Sequence, residues 1–338
     1  MTSATDSGPK TGPAQNLPVF RAGDFKVRQG ANLGDPLSHS DDLLLDDVYA
    51  LQANAVPQRL SLHTTRAPHL IISTDSDLGQ TGAKVYLDCA LTLMSPDGQI
   101  TDAIVLVETD DGGDIAQVYL LPLARLSAGA PYALVGTDRS EAAKKFGQMT
   151  CARFTRGTHI TLASGAQKPI EALEVGDRVL TRNDGAQPVR WVGQSTVRAV
   201  GDFAPICIRS GALNNDRDLI VSPDHRLFIY QRKDRLGAGR SELLVKARHL
   251  VNGESVVVQD GGFVDYFELL FDSHQIIYAE GIAAESMLMD TRTKSSVPEE
   301  VTARLSEHTN AGLSGLDVTE TLLDRPDATE LLRRASLR

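Results

Sequence analysis

From residue 19 onward the apolar positions of this 338-residue chain fall in short runs, partly alternating with polar positions and cut by turn sequences. Val85–Met94, Ile100–Glu108 and Ile115–Leu121 are three such runs. Ser95-Pro-Asp-Gly98 separates the first two, and Asp110-Asp-Gly-Gly113 separates the second from the third. Proline fixes φ and glycine supplies positive φ at such places, so the spacing predicts a meander of strands. Asp41–Gln52 fits a short helix or a strand. Ser140–Gln148 is polar and helix-permissive, and reads as a linker or short helix. Beyond Cys151 the short runs resume at Ile170–Val175, Arg178–Thr181, Val189–Val192, Ile206–Arg209, Leu219–Val221, Leu227–Tyr230 and Ser255–Val258. Gly, Asn and Asp punctuate them, which predicts a second compact all-β domain. The texture changes after residue 290. Ser296 is an N-cap candidate for a helix through His308, with Pro298 and two glutamates in its first turn, and Leu322–Arg334 fits a second short helix.

The expected architecture is therefore all-β with a helical end. Residues 1–18, rich in Ser, Thr, Gly and Pro, are a mobile tail; 19–150 form an N-terminal β-rich domain; 151–290 form a compact β domain; 291–338 form a polar helical tail. Lys and Arg number 34 against 44 Asp and Glu, a net charge of −10, and the excess lies in residues 1–150 with 11 basic and 18 acidic groups. No segment is basic enough to neutralise phosphates, so nucleic acid is not an expected partner. No apolar run reaches the roughly 18 residues of a bilayer span. The polar start of the sequence is unlike a cleavable secretory signal, which leaves a cytoplasmic location or a non-classical export route open.

Three cysteines, Cys89, Cys151 and Cys207, are too few and too scattered for a disulfide framework or a thiolate zinc site. No metal or cofactor is expected. Cys89 and Cys207 sit inside strand-like runs and read as small buried hydrophobes. Cys151 stands at the seam between two β domains, where a thiol has more to do. Downstream of it follow Phe154-Thr-Arg-Gly157-Thr158, Pro169–Leu180, Ser222-Pro-Asp-His225, and Asp272-Ser-His274 with Ala279-Glu-Gly281-Ile282 and Glu285-Ser286.

In this order the segments resemble the Hint (Hedgehog/intein) module, especially its bacterial intein-like members. Ile170, Leu173, Gly176, Asp177, Val179 and Leu180 match its I-x-x-L-x-x-G-D-x-V-L segment. Ser222-x-x-His225 is similar to its Thr-x-x-His motif, and Asp272-x-His274 to its penultimate motif. The resemblance implies a Hint-type fold and self-processing at Thr150–Cys151. It makes Cys151, His225, Ser222, Asp272 and His274 the catalytic candidates. Inteins that splice end in Asn, whereas here Ser286 follows Glu285, so full splicing is not implied. The stretch Trp191-Val-Gly-Gln194 has no acid of the kind that activates a sterol in Hedgehog proteins.

The chemistry can be argued from the residues. A thiol is a better nucleophile than a hydroxyl. The Cys151 sulfur can reach the Thr150 carbonyl carbon and convert the amide to a thioester, provided the leaving nitrogen is protonated. His225 is the candidate donor, and Ser222 would hold the peptide or stabilise the oxyanion. Water, or an external amine or thiol, then resolves the thioester, so the substrate is the chain's own N-terminal domain. The process is single-turnover self-cleavage rather than ordinary enzyme catalysis. The bland readings stand beside it. His225 can simply close a turn, His274 can be a strand histidine, and Asp272 can end a strand. Arg226, His249 and His159 read as surface residues. The alternative is a Hint-fold structural or binding module that does not cleave.

Overall fold

The computed structural model describes residues 15–65, 67–231, 234, 237–290, 293–294, 297–305, 316, 318 and 330–332. The chain folds as two compact units, Met1–Lys145 and Phe146–Arg338, so the boundary falls five residues upstream of Cys151.

Unit one consists of β1 (Gln15–Arg21), β2 (Phe25–Gln29), β3 (Val48–Leu51), β4 (Gln58–Thr64), β5 (Leu70–Ile72), β6 (Lys84–Met94), β7 (Ile100–Thr109), β8 (Ile115–Pro122) and β9 (Pro131–Asp138). The expected meander is β6-β7-β8, joined by the two turns read from the sequence. Neighbouring strands in the order β1-β4-β5-β6-β7-β8 pair antiparallel, and β8 returns to β1 through Leu120 opposite Phe20, which closes a barrel. Closure gives each of those six strands a partner on both sides. β9, β3 and β2 extend the sheet from the far half of β6. Phe25, Leu91, Val105, Leu120 and Leu134 are among the buried side chains of its core. Asp41–Gln52 resolves into turns followed by β3. Of the tail expected over residues 1–18, Gln15–Pro18 lie in β1, because alternate residues Gln15, Leu17 and Val19 point inward, and residues 1–14 lie outside the described residues.

The helix α1 (Arg139–Thr150) leads from unit one into unit two. Asp138 Oδ1 accepts hydrogen bonds from the amides of Ser140 and Glu141 and so caps its start. Unit two contains β10 (Phe154–Thr155), β11 (His159–Thr161), β12 (Gln167–Pro169), β13 (Arg178–Leu180), β14 (Ala186–Pro188), β15 (Trp191–Arg198), β16 (Ile206–Ile208), β17 (Leu219–Val221), β18 (Arg226–Tyr230), β19 (Glu242–Lys246), β20 (Val256–Val258), β21 (Phe263–Leu270), β22 (Ile276–Ala279) and β23 (Ile282–Glu285). They form two six-stranded sheets, β15-β21-β10-β17-β16-β20 and β12-β11-β22-β23-β18-β19, and the hairpin β13-β14. One apolar cluster, including Phe154, Ile160, Leu227, Leu269 and Ile277, draws on both six-stranded sheets.

Two expectations for this unit change. Ile170–Val175 is not a strand: Ile170–Ala172 is a 3-10 turn, closed by the Leu173 amide on Ile170 O, and the strand lies just before it. The C-terminal tail is not a merely polar appendage. The short helix α2 (Glu299–Thr302) starts behind Pro298. Val297 and Leu332 are buried among apolar side chains of the unit. The expected cap Ser296 and residues 306–308, 322–329 and 333–334 of the two expected helices lie outside the described residues.

Candidate functional site

Strand register sets the site. β10 is short and lies between β17 and β21, with Phe154 opposite both Val221 and Phe267. One residue earlier, the same antiparallel register puts Arg153 opposite Ser222 on one side and Glu268 on the other. The main chains of Arg153 and Ser222 continue the pairing: Ser222 N–H donates to Arg153 O at 2.9 Å. The Ser222 hydroxyl accepts from Arg153 N–H at 3.2 Å and donates to Cys151 O at 3.0 Å. Ser222 is fully buried, so both bonds matter to the energy of the site.

Ser222-Pro-Asp-His225 is a turn, with His225 N–H donating to Ser222 O at 3.0 Å. The turn delivers a wholly buried imidazole whose Nδ1 lies 3.1 Å from Arg153 O and whose Nε2 lies 3.1 Å from Glu285 O. A neutral imidazole donates through one nitrogen, so both carbonyls are satisfied together only by the imidazolium. Burial, the largest influence, pulls the ring below the ordinary value of 6.5, against the Glu285 charge and the two carbonyls. The edge of the Phe154 ring packs against it with centroids 4.4 Å apart. Asp224 braces the turn from behind, buried and within 3.2 Å of Lys246 Nζ and 2.9 Å of Arg248 Nε. Burial would raise its carboxyl, but these cations outweigh burial and hold it low.

The β22–β23 hairpin supplies the other wall. Its two-residue loop, Glu280-Gly281, has φ of +50° and +83°, the left-handed pair that suits a tight hairpin. Glu280 is an unusual residue there. Its carboxylate accepts the His159 amide at 2.7 Å and lies 3.1 Å from His159 Nδ1, contacts that offset the backbone strain. β23 also pairs with β18, which lays Arg226 beside Glu285. Glu285 Oε2 accepts from Arg226 Nε at 2.9 Å and Nη2 at 2.6 Å, and Oε1 accepts the Arg226 amide at 3.0 Å. His274 Nε2 stands 3.3 Å from the same carboxylate. Burial would push the Glu285 carboxyl up, but Arg226 and His274 outweigh it and keep it well below the usual range.

Cys151 follows α1 directly and is 1% exposed. It belongs to an apolar cluster with Leu270, Met287, Met289 and Val297, against which Trp191, Val301 and Leu305 pack. Gly193 makes the Trp191 position available, since a methyl group at residue 193 would overlap the indole ring.

Of the residues expected from sequence, the structure brings Cys151, Ser222 and His225 to one three-residue stretch of backbone. It ties His225 to Glu285, and Glu285 to His274. Ser286 is buried and works structurally, its Oγ accepting the Gln275 amide at 2.9 Å. Asp272 stands apart: the carboxylate is half exposed and gripped by Arg190 Nε at 2.9 Å and Nη2 at 2.6 Å. Thr150 is the last residue of α1, its hydroxyl donating to Gly147 O at 3.2 Å. Cys89 and Cys207 are buried in strands as thiols. Burial and then Asp88 push the Cys89 thiol up to about 12.

Sequence reading missed Arg153, Arg226 and Glu268. Arg226 is not a surface residue but 8% exposed within the Glu285 cluster, and His159 and His249 are half-buried. Arg153 is 0% exposed, its guanidinium 4.4 Å from the Tyr266 ring and 5.5 Å from Phe203, with Glu268 Oε1 at 4.0 Å. Burial pushes the Glu268 carboxyl up in spite of that cation. The available signal was a charge inside an apolar run, as in Tyr266-Phe-Glu268-Leu, which needs a buried partner.

The family model of the Hint domain matches residues 151–291. Among solved structures, the gp41-1 intein is 17% identical and covers 39% of this chain and 97% of its own, with a TM-score of 0.25. The Ssp DnaB mini-intein variant M86 is 13% identical and covers 41% and 96%, with a TM-score of 0.29. The catalytic subunit of the V-type proton ATPase of Candida tropicalis is 36% identical over 86 residues, which is 24% of this chain and 8% of that protein. The chain thus spans less than a tenth of that relative's length.

Proposed function

We propose, on the ground that residues 151–291 are a Hint domain, that this chain cleaves its own backbone at Thr150–Cys151. The Hint fold supports self-processing in general; the bond, the nucleophile and the acceptor are our reading. The observation that carries it is the convergence of Ser222 and His225 on the backbone of Cys151–Arg153, directly downstream of that bond.

The Cys151 sulfur attacks the Thr150 carbonyl carbon through a five-membered ring. The C–N bond breaks, the thiol proton is lost, and the Cys151 nitrogen leaves as an amine once it has taken a proton. His225 is the proton donor in this reading, and its ring lets go of Arg153 O to reach that nitrogen. Ser222 anchors Cys151 O while the upstream peptide rearranges. The Glu285 carbonyl holds Nε2 of His225, and Arg226 and His274 hold the Glu285 carboxylate. Water, an amine or a thiol then takes the acyl group and releases residues 1–150.

The test is a denaturing gel of the full chain with and without dithiothreitol. Scaling the 36.4 kDa chain by residue number gives bands of about 16 and about 20 kDa. Both bands disappear in Cys151→Ala under the proposal, and their persistence in that variant rejects Cys151 as the nucleophile.

A further inference from the structure

Val297, Val301 and Leu305 stand four residues apart, the spacing that puts side chains on one face of a helix. Backbone bonds carry that face through α2 and past its end: Val301 N–H donates to Pro298 O at 3.0 Å, and Leu305 N–H to Val301 O at 3.2 Å. All three side chains pack on the cluster of Cys151, Leu270, Met287 and Met289, while Glu299, Glu300 and Arg304 are exposed. The chain is anchored again beyond this segment. Leu244 N–H donates to Leu316 O at 2.8 Å and Val318 N–H donates to Leu244 O at 3.1 Å, which adds the tail to the outer edge of β19. Leu316 packs on Phe228, Leu244 and Ile276, and Leu332 is buried in the main core of the unit. The cover over Cys151 is thus held from both directions, by Met287 and Met289 before it and by the β19 edge after it.

We infer that Val297–Leu305 is a lid that keeps water from the acyl–sulfur bond formed at Cys151, so that resolution of the thioester waits on its opening. This rests on the Thr150–Cys151 reading and adds to it what governs the second step. Leu, Met and Val side chains offer a water molecule no strong hydrogen-bond partner, so the space around the sulfur stays dry while they are packed. Hydrolysis needs water there: its oxygen bonds to the Thr150 carbonyl carbon, the C–S bond breaks, and one water proton ends on the sulfur. Residues 1–150 then leave as the free acid. Local opening of the segment admits water and stronger nucleophiles alike, and a stronger nucleophile uses each opening more efficiently. All three lid residues lie beyond residue 291, where the Hint match ends, so the lid is an addition to the matched domain.

The experiment compares the natural full chain with V301D/L305D, and with the milder V301S/L305S in case the charged pair fails to fold. Both positions are half-buried, and V175D places the same charge at a site that is 67% exposed, as a control. Each chain is incubated without added nucleophile and, separately, with hydroxylamine, and its products are weighed by intact-mass spectrometry. Cooperative unfolding is checked for every variant. The folded lid variants are expected to release residues 1–150 as the free acid about tenfold faster than the natural chain, with V175D unchanged. Free-acid release at the natural rate from a folded lid variant, while every chain still yields the hydroxamate with hydroxylamine, rejects the lid alone. If no chain yields the hydroxamate, the Thr150–Cys151 reading fails and takes the lid's role with it. The two failures are therefore read from different products.

Discussion

The Ser222 hydroxyl spans two peptides, giving its proton to Cys151 O at 3.0 Å and taking that of Arg153 N at 3.2 Å. This buried oxygen ties the loop after β17 to the backbone that follows the nucleophile candidate. Ser222→Ala leaves a buried carbonyl and a buried amide without that partner, at a cost of about 1–3 kcal/mol. Denaturant unfolding measures it, and Ser222→Thr, which keeps the hydroxyl, recovers most of the loss.

His225 makes stability depend on pH. Its folded pKa lies below 6.5, so at pH values between the two the unfolded chain binds more protons. Stability from this group is present above 6.5 and is lost as the pH falls through that value toward the folded pKa. Unfolding midpoints compared at about pH 7.5 and about pH 5.5 drop further for the natural chain than for His225→Gln. Equal drops would mean the ring titrates normally. Glu285 acts in a separate window, losing its contribution only as the pH falls below 4.5.

The Arg226–Glu285 pair is buried on both sides. Removing either partner strands a buried charge, so Arg226→Ala and Glu285→Ala each cost about 3–5 kcal/mol. The double variant costs less than the sum of the two, because both singles lose the same contact. A double-mutant cycle by chemical denaturation checks this, and strict additivity would contradict the geometry.

Gly193 has no room for a side chain against Trp191, the chain's one tryptophan. Gly193→Ala forces the indole out of the Cys151 cluster at a cost of about 1–3 kcal/mol. The fluorescence maximum moves to the red as the ring meets water, and the Cys151 thiol labels faster with maleimide.

The apolar cover over Cys151 includes Val297, Val301 and Leu305, all beyond residue 291, where the Hint match ends. Val297→Asp opens this cover and speeds native maleimide labelling at Cys151 by about tenfold or more, while Cys89 stays slow. Peptide mapping of the labelled chain reads each cysteine separately.

The local parts of this fold were legible in the sequence because their signals are local. Ser95-Pro-Asp-Gly98 and Asp110–Gly113 give the β6-β7-β8 meander, and polar Ser140–Gln148 lies within α1. Barrel closure was not legible, since Phe20 must meet Leu120 across a hundred residues and neither residue carries a sign of the other. The family order of motifs pointed to Cys151, Ser222 and His225, and these do share one stretch of backbone. It could not give the register, which depends on Phe154 lying opposite Val221 and so places Arg153 under the Ser222 hydroxyl. Arg226 read as surface because it follows His225 in a charged stretch, yet β18–β23 pairing buries it against Glu285. Asp272 read as functional from its motif. It lies in the bend after β21 and the buried Phe271, where the chain leaves the sheet and its carboxylate meets Arg190.

Hydroxylamine trapping tests the central claim most directly, because it attacks a thioester and leaves ordinary amides intact under mild conditions. The full chain is treated in native buffer and the products are weighed. The account predicts a fragment ending at Thr150 as its hydroxamate, together with residues 151–338, and neither product from Cys151→Ala. A natural chain that stays whole, or breaks at Thr150 equally well without the thiol, would contradict it.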